Sequence, residues 1–291
     1  MDIILGEKLG EGGFGKVYAV AENPDSCVKI SNKNNNCRVW KNEYDKIMDI
    51  HSKLSDNETF KKLKYVRLIY PTKFIEGKKG DCYMFMNRIY RPKIDKASSP
   101  YSPQSSNISS ALLKSPLSSF SSPYSPLKNS PSPIKSSPSF EEKYDGKTLH
   151  SLFGESRSTY KISERGEFIG LNLLQKLFSL DQLKTIAYEL GKIMALLHFV
   201  SKNDAVDVEL YVGIEHKTRK TRIYISDFDL SEKIIDYTDA VIEDRMAWSL
   251  SAMPYFPSLD SSKLLYEYFK KGYRKTANND EVVDKLFSIY T

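Results

Sequence analysis

The 291-residue chain is poor in cysteine and has no long apolar run. Cys27, Cys37 and Cys82 show no spacing typical of a metal site or a disulfide framework, so we expect reduced thiols. No segment approaches the ~20 apolar residues of a membrane helix, and the N-terminus lacks a basic and then apolar signal. These absences favour a soluble protein of the cytoplasm, the nucleus or both.

Strong charge is also missing. The net charge is only +6, and no basic stretch is interleaved with aromatic residues, so we do not expect nucleic-acid binding. The one dense basic cluster, His216 to Arg222, is predicted to form a solvated hairpin between two strands.

One segment lacks acidic residues altogether. Residues 97–140 are dominated by Ser and Pro, contain no Asp or Glu, and carry three lysines. Such a composition cannot bury enough apolar surface to offset the entropy of ordering, so residues 95–140 are predicted to be a disordered insertion. The folded parts would then be residues 1–94 and 141–291.

The insertion is rich in Ser-Pro pairs, which begin at Ser99, Ser102, Ser115, Ser122, Ser125, Ser130, Ser132 and Ser137. Ser125 and Ser132 also have a lysine three residues later, the preference of cyclin-dependent kinases. Proline-directed kinases are therefore expected partners, and phosphorylation would make this positive segment strongly negative. The alternative is that the pairs arise from low complexity alone.

A glycine pattern near the N-terminus predicts a phosphate-binding loop. Gly10, Gly12 and Gly15 stand in the G-x-G-x-x-G-x-V register, with Gly13 inside the loop and Val17 entering the next strand. Glycine lets a backbone fold tightly over phosphates, because no Cβ is in the way. Alone, the motif is a weak signal, and the alternative is a surface hairpin.

The lysine that follows this loop makes a nucleotide site the better interpretation. Lys29 interrupts the apolar run from Cys27 to Ile30, the pattern of the lysine that pairs the α and β phosphates of ATP. Residues from about 38 to 53 have helical apolar spacing, and Glu43 on this helix is predicted to pair with Lys29. The alternative is that Glu43 is a solvated charge.

Two further strand-like runs, residues 65–70 and 81–86, are followed by a candidate hinge at residues 87–90. Met84 or Phe85 is predicted to face the adenine pocket. A period of two does not decide between them.

A helix with a capping box at Ser179 and Gln182 leads to a second motif region. At its end, His198 is predicted to be a structural histidine. Asp204 takes the catalytic-base position of the kinase H-R-D-L-x-x-x-N motif, and Glu209 takes the position of the metal-binding asparagine. Lys202 and Asn203 occupy the His-Arg positions, so a phosphorylated activation loop would lack its usual arginine partner.

Asp227-Phe228-Asp229 follows a β-like run and stands where kinases have D-F-G. Asp227 is the predicted first metal ligand for Mg²⁺ or Mn²⁺, with Glu209 and Asp229 as further carboxylates. The tail beyond has no A-P-E motif. It has one clear amphipathic helix, Leu264 to Phe269, before a terminal segment that begins at Asp280, so the helices that dock protein substrates in kinases are expected to be truncated or missing.

The C-terminal part resembles a specific group, the fungal kinase-like family of unknown function that is often labelled zinc-finger-protein-like. The resemblance spans residues 168–275. It rests on the segments Leu180 to Gln182, Met194 to His198, Asp204 to Gly213, Ile225 to Asp229, Met246 to Trp248 and Pro254-Tyr255. It implies a kinase-like fold in which the glutamate and the D-F-D sequence are the norm.

The sequence therefore predicts an α+β, bilobal, protein-kinase-like fold, with a small β-rich N-lobe and a mainly helical, truncated C-lobe. The expected function is ATP-binding, metal-dependent phosphate transfer, as a Ser/Thr protein kinase or a small-molecule kinase, to an acceptor that is not specified. Two alternatives stay open: a pseudokinase that acts as a nucleotide-binding scaffold, and a signalling adaptor whose Ser-Pro insertion is the functional element.

Overall fold

We analysed the protein from a computed structural model. The described residues are 3–11, 15–31, 37–77, 80–92, 149–154, 160–163, 166–215, 217–252 and 254–290. Residues 1–94 and 138–291 belong to one compact unit. The Ser/Pro-rich insertion with Ser125 and Ser132 lies outside the described residues, and so do Gly12 and Gly13.

The N-terminal region is β-rich and the C-terminal region is mainly helical. The strands are β1 Leu5–Glu11, β2 Gly15–Val20, β3 Asn23–Ser31, β4 Val66–Leu68, β5 Pro71–Glu76, β6 Cys82–Asn87, β7 Ile89–Tyr90, β8 Leu149–Leu152, β9 Tyr160–Ser163, β10 Gly166–Gly170, β11 Glu209–Glu215 and β12 Thr221–Ser226. The helices are α1 Cys37–Ser55, α2 Glu58–Lys61, α3 Leu171–Leu177, α4 Leu180–Ala195, α5 Trp248–Ser251, α6 Leu259–Thr276 and α7 Asp280–Ile289, with π-helical segments at Leu196–Val200 and Val241–Ala247.

The first sheet is antiparallel, with the order β1-β2-β3-β6-β5. Its register places Lys29 of β3 between Val17 of β2 and Met84 of β6. Side chains alternate across a strand, so Lys29 and Cys27 share one face of the sheet while Val28 lies on the other. The strand-borne lysine is thus central in the sheet.

Helix α1 is amphipathic, as its sequence predicts. Trp40, Ile47, Ile50 and Leu54 are buried at helical spacing. Trp40 packs with Cys82 and Met84 of β6, while the later residues join the large core of the C-terminal region. The helix therefore spans both apolar clusters.

The expectation of reduced thiols is wrong for two of the three cysteines. Cys37 begins α1, Cys82 begins β6, and the two form a disulfide with their Cα atoms 5.6 Å apart. They are separated by 45 residues, so only the packing of the helix against the sheet brings them together. Cys27 is free and buried, and burial raises the pKa of its thiol to about 12.

The second sheet has the order β4-β12-β11-β8-β10-β9, with β7 also pairing β11. Strands β11 and β12 form the predicted hairpin, in which Glu209 is paired with Ser226. Because Ser226 directly precedes Asp227, two of the predicted metal-binding carboxylates lie at the same end of this hairpin. Strands β8 to β10 have no counterpart in the sequence-based prediction.

A buried carboxylate joins helix α4 to this sheet. Glu189 accepts hydrogen bonds from the backbone N–H groups of Lys64, Tyr65 and Val66, at 2.6, 2.7 and 3.0 Å. These donors lie at the start of β4, which runs parallel to β12. The bonds offset the cost of burying the charge and hold β4 in register.

The helices α4 and α6 cross with their backbones in close approach. A Cβ at Gly191 would lie 2.0 Å from the Phe269 carbonyl oxygen, and one at Gly272 would lie 2.0 Å from that of Tyr188. Only glycine fits at this crossing. Helix α4 has the predicted capping box, with Ser179 and Gln182 bonded reciprocally.

The tail holds more helix than its sequence predicts. One helix and a terminal segment are expected, whereas α5, α6 and α7 all form there, after a π-helical segment. Tyr273 and Phe287, from α6 and α7, are buried in the large core. Helix α5 has only four residues, which is too few to show a helical period in the sequence.

Candidate functional site

A cleft with a cavity volume of about 180 Å³ opens between the first sheet and the β11–β12 hairpin. It is lined by Leu9, Gly10, Val17, Cys27, Ile69, Met86, Asn87, Ile89, Tyr90, Arg91, Tyr211, Val212 and Ser226. Most of these side chains are apolar, and polar groups lie along the segment 87–91. A mainly apolar lining with a few polar groups is typical of a small-molecule site.

The structure corrects the residue predicted to face this cleft. Neither Met84 nor Phe85 lines it; Met86 does. Met84 is buried against Trp40 and Cys82 on the α1 side of the sheet. Met84 and Met86 share one face of β6, because side chains alternate along a strand, and Met86 lies nearer the end of β6 at which the cleft opens.

Two described residues of the glycine pattern line the cleft directly, Gly10 and Val17. Gly15 has a different role, since a Cβ there would lie 2.5 Å from the Ile30 carbonyl oxygen and 2.7 Å from the Trp40 ring. Gly15 is thus needed for strand packing, while a Cβ at Gly10 would meet open space.

Lys29 and Glu43 form the predicted ion pair. The Nζ of Lys29 lies 3.1 Å from Oε1 of Glu43, and the two side chains are 24% and 13% exposed. The ammonium group also lies over the Trp40 ring, 4.8 Å from its centroid. This pair joins β3 to α1, and the interpretation of Glu43 as a solvated charge is wrong.

Asp227 follows β12 in an unusual backbone conformation. Its φ of 66° is in the left-handed region, which costs free energy for any residue with a Cβ. Burial and the neighbouring Asp229 raise the pKa of the Asp227 carboxyl to about 8; Glu209 and Glu43 act in the same direction, and Lys29 opposes them. Four predicted site residues therefore act electrostatically on one carboxyl group.

The carboxylates provide oxygen donors of the kind that Mg²⁺ and Mn²⁺ prefer. A nearby cation would relieve the repulsion that raises the pKa of Asp227, so the donor chemistry fits a divalent metal. Among the described residues, however, no three His, Cys, Asp or Glu side chains are arranged to hold a metal by themselves. Any metal here would need further ligands.

Glu209 has two partners that sequence reasoning missed. The Tyr211 hydroxyl donates a hydrogen bond to its carboxylate, and Nδ1 of His150 lies 4.0 Å from the same oxygen. His150 is buried and stacks on Phe168 with ring centroids 4.4 Å apart. It reaches the site because β8 pairs with β11, with His150 opposite Tyr211. No motif in the sequence marks this histidine.

Asp204, the predicted base, is fully engaged by other groups. It is 1% exposed, and Arg245 donates to Oδ2. Oδ1 accepts the backbone N–H groups of Val206 and Glu232, at 3.1 and 2.8 Å. Arg245 comes from the π-helical segment Val241–Ala247 and was also missed, since 41 residues separate it from Asp204.

The loop around Asp204 has several left-handed residues. Lys202, Ala205 and Asp207 have φ values of 56°, 54° and 64°. Such conformations persist where the surrounding structure enforces them, and they are concentrated at functional sites. Asp207 is exposed, in contrast to Asp204.

His198 is placed as a structural residue. It is completely buried, and its ring nitrogens lie 2.5 Å from the Tyr273 hydroxyl and 3.2 Å from the Asp204 carbonyl oxygen. Burial lowers its pKa to about 4, so it is neutral at physiological pH. It supports the loop and does not face the cleft.

No protein-family description and no curated protein matches this chain. Within the described ranges, none of the helices has the length and apolarity required to cross a membrane. The candidate site therefore rests on its own geometry.

Proposed function

We propose that the protein is an ATP-binding, kinase-like phosphotransferase that uses Mg²⁺ or Mn²⁺. The observation that carries the proposal is the Lys29–Glu43 ion pair, in which Lys29 is the strand partner of the cleft-lining Val17 and both charges interact with Asp227. A lysine from a central strand, a helix glutamate and an aspartate after a hairpin are the three elements that kinases use to hold ATP phosphates and metal. The fold is accordingly proposed to be bilobal and protein-kinase-like.

The adenine ring would occupy the apolar part of the cleft. Leu9 and Val17 would cover it from β1 and β2, and Val212 would support it from β11. The backbone of Met86 at the end of β6 and that of Asn87, where the hinge begins, would provide its hydrogen bonds. In this arrangement Gly10 allows the phosphates to approach the backbone.

The phosphates would be held by Lys29, which Glu43 keeps in place. Asp227, with Glu209 and Asp229, would hold the metal, whose contribution is to neutralise charge on the phosphate oxygens. Tyr211 orients Glu209 through its hydroxyl group. Asp204 would position the acceptor hydroxyl, of a protein serine or threonine or of a small molecule.

One observation favours the second candidate, a pseudokinase that binds nucleotide as a scaffold. Asp204 has both carboxylate oxygens engaged by Arg245 and backbone N–H groups. These bonds leave the carboxylate little capacity to accept a hydrogen bond from a substrate hydroxyl. In the phosphotransferase, Arg245 must release Asp204 or Asp207 must take over its role; in the scaffold neither happens.

Regulation by proline-directed kinases remains part of the proposal. It rests on the Ser-Pro composition of residues 97–140, including Ser125 and Ser132. The adaptor alternative rests on the same segment, and deletion of residues 97–140 would distinguish it by removing function without lowering the unfolding temperature.

The deciding experiment is thermal unfolding with and without ATP, in Mg²⁺, Mn²⁺ and EDTA. At a nucleotide concentration ~100 times the dissociation constant, binding adds about 2.7 kcal/mol to the free energy of unfolding, which raises the unfolding temperature by several degrees. We expect a metal-dependent rise that is lost in Lys29→Met and Asp227→Asn. If wild type gives no rise under any of these conditions, the proposal is wrong.

A second measurement separates the two candidates. Transfer of the γ-phosphate to the protein itself, to generic proteins and to small alcohols is measured for wild type, Asp204→Asn and Asp207→Asn. The phosphotransferase predicts transfer that one of these variants abolishes while ATP affinity stays unchanged. The scaffold predicts ATP binding without transfer in all three proteins.

A further inference from the structure

Lys46 on helix α1 binds three backbone carbonyl groups of the segment that follows Asp227. Its Nζ lies 3.0 Å from the carbonyl oxygen of Phe228, 2.7 Å from that of Asp229 and 2.6 Å from that of Ser231. An ammonium group has three N–H donors, so these bonds use its full capacity. The segment therefore folds around a fixed positive charge.

Lys46 lies on the same face of α1 as Glu43, because residues three apart in a helix are neighbours. Glu43 binds Lys29 of β3 at one end of this face. Lys46 binds the segment after β12 at the other end. One helix turn thus links the side chain proposed to hold phosphates with the segment that directly follows the aspartate proposed to hold metal.

The segment bound by Lys46 is also tied to the loop that carries Asp204. The Ser231 hydroxyl donates to the Phe228 carbonyl oxygen at 2.7 Å, and the Asn203 amide donates to the Ser231 hydroxyl at 3.1 Å. The Phe228 carbonyl is therefore shared by Lys46 and Ser231. Removal of the lysine would leave three carbonyls directed at an empty position.

The segment that Lys46 binds begins directly after Asp227, whose backbone conformation is left-handed. Asp227 must be held in a costly conformation, and the three carbonyls that Lys46 binds begin at the next residue. We propose that Lys46 is a positioning residue that holds the segment Asp227 to Ser231 and thereby couples metal binding at Asp227 to nucleotide binding at Lys29. The coupling to metal and nucleotide rests on the proposed function; the holding of the segment does not.

The first test measures backbone hydrogen exchange without nucleotide or metal. The amides of Leu230, Ser231 and Glu232 all donate hydrogen bonds within or next to this segment. In Lys46→Ala their exchange should be accelerated at least several-fold, while exchange in β3 and β6 is unchanged. Lys46→Arg, which keeps the charge and the donors, should exchange more slowly than Lys46→Ala. Exchange in Lys46→Ala that equals that of wild type would overturn the inference.

Lys41→Ala is the matched control. Lys41 lies on the same helix but forms an exposed i, i+4 ion pair with Asp45. Its removal should leave exchange at residues 230–232 unchanged. Equal acceleration in both variants would mean that α1 is generally destabilised, and the specific role of Lys46 would be refuted.

The second test measures ATP affinity in Mg²⁺ and in EDTA. In Lys46→Ala the gain in affinity that metal provides should fall by about tenfold, the size of effect seen when support of a metal ligand is lost. Affinity in EDTA should stay the same, because Lys29 and Glu43 are intact. Methylammonium, a small cation with the same donors, should restore part of the gain in Lys46→Ala and have no effect on wild type.

The two tests separate the possible failures. If wild type binds no ATP, the proposed function fails, and hydrogen exchange still decides whether Lys46 holds the segment. If wild type shows the metal-dependent gain and Lys46→Ala retains all of it, the coupling role of Lys46 is refuted while the proposed function stands.

Discussion

The two sides of the candidate site are built differently. On the side of β1 to β3, the polar residue Lys29 is held by a single ion pair from α1, and neighbouring side chains face an open cleft. On the side of the loop that carries Asp204, the carboxylate of Asp204 is bound by Arg245 and by the backbone N–H groups of Val206 and Glu232. The side chains that line the cleft are placed to contact a ligand, whereas Asp204 already has its hydrogen-bond partners within the protein. We therefore expect the proposed nucleotide binding and the proposed phosphate transfer to be separable by mutation.

The largest effect on stability is expected at the loop that carries Asp204. Arg245→Met would leave Asp204 buried without its cation, and loss of one partner of a buried pair destabilises a protein by about 3–5 kcal/mol. Because the Arg245 side chain is 33% exposed, we expect the lower end of this range. Chemical denaturation measures it, and ATP affinity should not change.

The double variant Arg245→Met with Asp204→Asn is the control for this prediction. It removes the uncompensated charge and should recover part of the lost stability. A large fall in ATP affinity in Arg245→Met would contradict the separation of the two sides.

On the side of β1 to β3, the largest effect on stability should come from the disulfide. Reduction of Cys37–Cys82 frees the start of α1 from β6 and should cost about 2–4 kcal/mol, a typical value for a native disulfide. Thermal unfolding with and without a thiol reductant measures the loss. Cys82→Ser should show the same lower stability with no further response to reductant, and a response there would show that another group is being reduced.

The next prediction is that stability depends on pH through the Asp227 carboxyl, whose pKa is raised from 3.8 to about 8. Its neutral form suits the buried site, so its contribution to stability is full below about pH 4 and is lost as the pH rises through about 8. Without ligands, wild type should lose stability relative to Asp227→Asn across this range. ATP binding in Mg²⁺ should strengthen over the same range, because the ionised form binds metal.

Asp229→Asn sharpens this prediction. It removes the carboxylate that, after burial, contributes most to the raised pKa of Asp227, so both pH transitions should move to lower pH. Transitions that stay in place would mean that Asp229 does not act on Asp227.

The smallest effect is expected from Tyr211→Phe, which removes the hydroxyl that binds Glu209. Loss of one such hydrogen bond should lower stability by about 1 kcal/mol. The metal-dependent part of ATP affinity should fall, while affinity in EDTA is retained. Val212→Ala, next to it in the cleft, should show the opposite pattern, with affinity lowered equally in Mg²⁺ and EDTA.

Local patterns predicted the elements whose partners are near in sequence or follow a regular period. The helix that carries Glu43, the capping box of Ser179 and Gln182, and the β11–β12 hairpin are of this kind. The ion pair of Lys29 was predictable because a strand lysine and a helix glutamate at this spacing form a known pattern. Lys46, His150 and Arg245 carry no such signal, since their partners lie 182, about 60 and 41 residues away along the chain.

By itself, the sequence determined the mixed α and β composition, the positions of the main helices and strands, and the residue types available for nucleotide chemistry. Those properties follow from short-range periodicity and from side-chain chemistry. The tertiary structure alone decided that Met86 faces the cleft, that Cys37 meets Cys82, and that Arg245 neutralises Asp204. These outcomes depend on how strands and helices pack, because burial and charge at one residue are set by groups that only the fold brings close.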